Sequence, residues 1–217
     1  MLAALGRVRL LPLAAVFLAG CPNPQGQFDD FGTRYEKTMG ASSSSSTGAG
    51  GAAACTAPAV GMADGTYMLA LSTKLSPKKP LAFKADITTM QGPNGLQFSM
   101  VATPLSYTDQ MTAVQAPITV GPFDVAADGS FDATLGTLMI TGMANPITMQ
   151  DITANAVIIH GHLCTQTPNF VCGTAEGKVT MPIMFDLAGS AFTLQKEQNG
   201  MLPAPVIDCA MTPAKYM

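Results

Sequence analysis

The chain has 217 residues, of which 12% are charged, with 11 basic against 14 acidic side chains and a net charge of −3. Globular proteins are typically about 25% charged, so Thr, Ser, Gly and Ala carry this surface, as suits an exported β-protein better than a cytosolic enzyme. No basic stripe with interleaved aromatics is present, which argues against a nucleic-acid partner.

In residues 1–20, Arg7 and Arg9 precede an apolar run from Leu10 to Leu18, and Leu18-Ala19-Gly20-Cys21 closes the segment. A basic start, a short apolar stretch and small residues at the end make a secretory signal. The run is shorter than the ~20 residues needed to cross about 30 Å of hydrocarbon, so it is not a transmembrane helix. Leu18-Ala19-Gly20-Cys21 resembles the lipobox of bacterial lipoproteins. The resemblance covers the first 21 residues and implies a diacylglyceryl group on the Cys21 sulfur, cleavage before Cys21 and acylation of the new amine by a fatty acid such as palmitate. One acyl chain binds a bilayer marginally, whereas two or three make release slow. Pro22 rather than aspartate after Cys21 implies, by the same resemblance, the outer membrane. Loss of Arg7 and Arg9 leaves 9 basic against 14 acidic side chains, a charge of −5.

Residues 21–54 read as the lipidated cysteine and a flexible tether. Ala41 to Ala54 is almost wholly Ser, Gly and Ala, which buries too little apolar surface to fold. The 33 residues from Pro22 to Ala54 span about 30 Å r.m.s..

Residues 55–217 read as one domain with a substantial core. Thr66 to Thr73 is an expected strand. Leu81, Phe83, Ala85 and Ile87 alternate with polar or small residues, as do Leu96, Phe98 and Met100, and Gln91-Gly92-Pro93-Asn94-Gly95 between them predicts a hairpin. A second hairpin is expected from Phe123–Val125 through Asp128-Gly129 to Phe131–Leu135. Thr137–Ile140, Ala156–Cys164, Lys178–Phe185 and Ser190–Gln195 are expected as later strands. Eight to ten strands joined by short turns mean antiparallel pairing. The fold class is mainly β: an antiparallel meander forming a closed or partly open barrel, with a two-sheet sandwich as the alternative.

Cys55, Cys164, Cys172 and Cys209 remain after Cys21, and an even number in an oxidising compartment argues for two disulfides. Sequence permits three pairings. Proximity favours Cys164 with Cys172, clamping a hairpin loop, which leaves Cys55 with Cys209 to join the domain's ends.

The chemistry-bearing motifs are sparse. His160 and His162 would share a strand face with Cys164, a weak candidate for a metal site, and hydrogen-bonded histidines near a strand end are the commoner case. Ser76-Pro77-Lys78-Lys79 matches Ser-x-x-Lys, but that chemistry needs the serine at a helix start, and here a proline-bracketed turn is expected. Asp124, Asp128 and Asp132 flank one turn without calcium-loop spacing. The 15 methionines are scattered, as fillers of irregular apolar space or as the lining of a pliable pocket. The expectation is therefore a non-enzymatic, membrane-anchored envelope lipoprotein without a cofactor. Its interior, with Phe83, Phe98, Met100, Val179 and Met181 as expected lining, would hold an apolar or lipid-like small molecule. The alternative is a filled-core module that contacts a protein or glycan through its loops, with Phe170 at an exposed tip as the anchor.

Overall fold

The computed structural model describes residues 55–216; the signal segment, Cys21 and the tether lie outside the described residues. The described residues form one compact unit. It contains nine strands: β1 Gly65–Ser72, β2 Leu81–Gly92, β3 Gly95–Pro104, β4 Ile118–Val125, β5 Ser130–Ile140, β6 Ile152–His162, β7 Phe170–Met181, β8 Phe185–Asp186 and β9 Ser190–Lys196. Among the described residues there is no α-helix, only a 3-10 turn at Gly142–Ala144.

Neighbouring strands pair antiparallel in an unbroken meander from β1 to β7. The last long strand, β9, then inserts between β7 and β1 and closes the sheet into an eight-stranded barrel. The sandwich alternative does not hold. The two-residue β8 pairs with Lys178 and Val179, continuing along β7 past the point where β9 has ended. Closure removes the exposed edges that an open sheet would present.

The expected hairpins form for the expected reasons. Gly92 pairs with Gly95, leaving Pro93-Asn94 as a two-residue turn. At the second turn the Asp128 carboxylate accepts from the Ser130 amide at 3.0 Å and the Ser130 hydroxyl at 2.7 Å. Gly129 there has φ +78, and a Cβ would collide with the Leu163 carbonyl oxygen and the Cys55 sulfur. Two strand readings need correction. Leu135 and Thr137 lie in one strand, β5, which runs through a register shift at Gly136. The segment between Cys164 and Cys172, read as a clamped loop, is a loop only as far as Asn169; from Phe170 the chain is already in β7.

The barrel's two ends differ. The β2–β3, β4–β5 and β6–β7 turns gather at one end, where the chain enters at Cys55. Inside that half, Phe98 packs edge-on to Phe131 with centroids 4.9 Å apart, and Phe123 and Phe192 extend the cluster at 5.4 and 6.3 Å. Tyr67, fully buried, stops this end: its hydroxyl donates to the carbonyls of Ala63 at 2.8 Å and Pro168 at 3.0 Å. The other half is aliphatic and is bounded by the β1–β2, β3–β4, β5–β6 and β7–β8 loops.

Residues 197–216 form a strap over the outer face of the barrel. Leu202 packs on outward-facing Met68 and Ala82 with Leu105. The Thr193 hydroxyl donates to the Val206 carbonyl at 2.8 Å, and the strap ends against the β1–β2 loop, with the Lys215 amide 2.8 Å from the Lys78 carbonyl and the Tyr216 hydroxyl 3.0 Å from that of Pro80.

The disulfides pair Cys55 with Cys164 and Cys172 with Cys209, not in the pattern that proximity favours. Strand geometry is the reason. Cys172 follows inward-facing Val171 and so projects from the outer wall, beside Thr193 and beneath the strap that carries Cys209. Cys164 lies beyond the end of β6, in a loop that holds the domain's first residues: the Thr165 amide donates to the Thr56 carbonyl at 2.9 Å. The bridges span 109 and 37 residues, which the chain-entropy relation converts to about 5 and about 4 kcal/mol of stabilisation. Two disulfides fit an exported, non-cytoplasmic protein.

Non-reducing peptide mapping is expected to recover the 55–164 and 172–209 pairs. The double variant Cys172→Ser/Cys209→Ser is expected to lose about 4 kcal/mol in chemical denaturation. A recovered 164–172 peptide would contradict the strap.

Candidate functional site

The aliphatic end of the barrel is a concave, apolar mouth. Its walls come from inward positions of β1 and β2 (Leu71, Leu81, Phe83), β5 and β6 (Leu138, Ile140, Ile152, Ala154, Val157) and β7 (Val179), and its lip from Leu75, Ile147 and Ile183. The enclosed part measures about 40 Å³ and is open to solvent above. A second apolar cavity of about 40 Å³ lies deeper, reaching Met100, Ile118, Val120, Leu135 and Phe192. Leu71, Phe83 and Leu138 line both. The deeper cavity sits where β4 and β5 part: those strands share a single ladder pair, Val125 with Phe131. Pro122 within β4 has no amide hydrogen to offer a neighbour.

Three polar side chains reach the upper cavity: Thr73, Asn145 and Thr148. Asn145 is satisfied, donating to the Thr148 hydroxyl at 2.7 Å and the Gln150 carbonyl at 2.8 Å while accepting from the Ile147 amide at 3.0 Å. The Thr73 hydroxyl, on a side chain 3% exposed, has no partner. Around the lip the surface is unusually apolar, with Met143, Met149 and Met184 between 61 and 69% exposed.

The expected lining residues divide. Phe83 faces both cavities, Met100 the deeper and Val179 the upper. Phe98 points inward but belongs to the aromatic cluster. Met181 is a correction: it is 58% exposed on the outer wall. Val179 pairs with Ala154 and Met181 with Thr153, so Thr180 is an extra residue that turns Met181 outward. Leu71, Leu138, Ile140 and Ile152 were not anticipated. The signal for Leu138 and Ile140 was a period-two pattern in β5, broken in the sequence by Gly136.

Phe170 is also a correction. It is the first residue of β7, half-buried and paired with Gln195, and not an exposed tip. The loop before it is tied down through the Pro168 carbonyl and through Thr165.

His160 projects outward from β6. Its Nδ1 lies 2.6 Å from an Asp132 oxygen and its Nε2 3.7 Å from a Glu176 oxygen. His162 is exposed beyond it, and Cys164 is spent in a disulfide. Among the described residues no three His, Cys, Asp or Glu side chains gather as metal ligands. Asp124, Asp128 and Asp132 go separate ways, to Gln97, Ser130 and His160. The Ser130 hydroxyl is the main reason the Asp128 carboxyl sits below its usual range. Ser76 and Lys79 lie in successive turns, with Lys79 donating its amide to the Ser76 carbonyl at 3.0 Å, so no helix brings the lysine round to the serine hydroxyl.

No protein-family model matches the chain, and neither curated proteins nor solved structures provide a match.

Burial pushes the Tyr67 phenol up to about 12, with a smaller push from the Asp64 carboxylate. The folded state therefore holds its proton above pH 10, where the unfolded phenol loses it, and stability contributed below pH 10 is lost as pH rises toward about 12. Urea denaturation at pH 9 to 12 is expected to show this fall, shallower in Tyr67→Phe. Parallel curves for the two proteins would mean that Tyr67 does not stop the barrel end as described.

Proposed function

We propose that this chain is a non-enzymatic binding module of the cell envelope, held to the outer membrane by acyl chains on Cys21, whose barrel mouth takes an apolar or lipid-like small molecule. The observation that carries the reading is the pair of adjoining apolar cavities at one end of a barrel whose other end is packed with aromatic rings. Mouths of β-barrels are recurrent ligand sites. The enclosed volumes are small, so the ligand is slender and enters by one end. Exposed methionines on the lip suit such a site, because unbranched thioethers adapt to varied apolar partners. The anchor follows from the lipobox resemblance. The described chain enters the barrel beside the aromatic end, opposite the mouth.

A second reading is favoured by the same lip. Met143, Met149 and Met184 are exposed apolar side chains on the loops of this end, of the kind found at contact sites, and a protein or glycan partner could bind there against a filled core.

Fluorescence titration with the neutral apolar probe N-phenyl-1-naphthylamine separates the two. Ile183 lines the mouth yet is 50% exposed, so Ile183→Asp is expected to leave the melting temperature nearly unchanged and to weaken probe binding about tenfold, because it sets a charge against an apolar wall. Probe binding that ignores this substitution would contradict the mouth as the site.

A further inference from the structure

We propose that the ligand of this mouth is a single-chain amphiphile with an anionic head group. Its chain end lies among Leu71, Phe83 and Leu138, and its head lies at the β1–β2 loop. The inference rests on the reading of the mouth as a ligand site and adds the ligand's chemistry.

Shape argues for one chain. The two cavities are small, follow one another into the barrel and share three side chains. Displacing those side chains joins the cavities into one narrow channel. A fused-ring or two-chain ligand would need a broader space, which the aromatic cluster below denies.

Polarity argues for a head group. Of the three polar side chains at the upper cavity, Asn145 and Thr148 are bonded to each other, while Thr73 is buried with a hydroxyl that has no partner. An unpaired buried hydroxyl costs free energy that an acceptor on the ligand would recover. Thr73 stands where β1 leaves the barrel wall, at the level at which the head of an inserted chain would rest.

Charge argues for the head's sign. The loop that starts at Thr73 carries Lys74, Lys78 and Lys79 and no acid, and the strap brings Lys215 to it through the Lys78 carbonyl. These are four of the seven basic side chains in residues 55–216, which contain no arginine. Among the described residues none of the four has a salt-bridge partner. The acids at this end stand on other segments of the chain, each hydrogen-bonded within its own segment: Asp109 accepts from the Thr112 hydroxyl at 2.6 Å, Asp151 from the Gly142 amide at 2.7 Å and Asp186 from the Ala188 amide at 2.7 Å. The β1–β2 loop thus carries lysines without salt-bridge partners and begins at Thr73, whose unpaired hydroxyl belongs to a residue lining the apolar mouth.

The test is isothermal titration of the oxidised chain from Gly51 onward, which holds both disulfides and the whole barrel, with decanoate, 1-decanol and decyltrimethylammonium below their micelle concentrations. Decanoate is expected to bind at least about tenfold more tightly than the other two. Lys74→Gln/Lys78→Gln/Lys79→Gln is expected to bring decanoate to within about threefold of decanol. Thr73→Val is expected to weaken both by about fivefold. Equal binding of decanoate and decanol, or tightest binding of the ammonium, overturns the head-group assignment and leaves the mouth reading standing. Binding of none of the three overturns both.

Discussion

Closure of the sheet through β9 is the constraint on which everything else here depends. A meander of seven strands would leave β1 and β7 as open edges, with rows of unpaired amides and carbonyls. By pairing with β1 along Tyr67–Ser72 and with β7 along Phe170–Ala175, β9 satisfies both edges at once. It thereby creates an interior, and inward positions on all sides must then be apolar. It also leaves the outer face of β1 and β9 to be covered by the chain that follows, and that is the strap. Cys172–Cys209 fastens the strap over the seam that β9 closes.

Within the closed wall, side-chain size decides what each end can do. Aromatic rings and Tyr67 fill the end at which the chain enters, and Cys55–Cys164 ties that end to the first residues of the domain. Mainly aliphatic side chains, with Phe83 and Phe185 among them, line the other end and leave it slack. The separation of β4 from β5 adds to that slack, because a single ladder pair holds them and Pro122 offers no donor. An apolar mouth, an unpaired Thr73 hydroxyl and a lysine loop thus meet at the end that closure leaves unfilled.

Much of the fold was legible in the sequence because period two is a direct consequence of a half-buried strand. Leu81 to Ile87, Leu96 to Met100 and Ser190 to Gln195 lie in strands as expected, and Pro93-Asn94 and Asp128-Gly129 turn where their backbone preferences put them. Failures came where that period breaks. Gly136 interrupts β5, Ala156 at φ 51 shifts β6 so that both Ala154 and Val157 face inward, and the extra residue at Thr180 turns Met181 out. Each bulge hides a lining residue or misplaces one. The first half of β7 was missed because Gly173 and Gly177 carry no side chain to show the pattern. At Gly173 the backbone of β6 passes so close that a Cβ would strike the His160 carbonyl. The disulfides were misread for a related reason: proximity along the chain ignores the wall between Cys172, facing out, and Cys164, in the loop beyond β6.

The central claim is that one end of the barrel is a receptive apolar mouth and the other a packed stop. Methyl-resolved NMR of the oxidised domain with a fatty acid carrying a nitroxide near its chain end tests it most directly. The account predicts the strongest broadening at the methyl signals of Leu71, Leu138, Val157 and Val179, falling off toward those of Val125 and Val171 in the half that holds the aromatic cluster. Broadening centred on Val125 and Val171, or spread over the outer wall with the mouth methyls untouched, would contradict it.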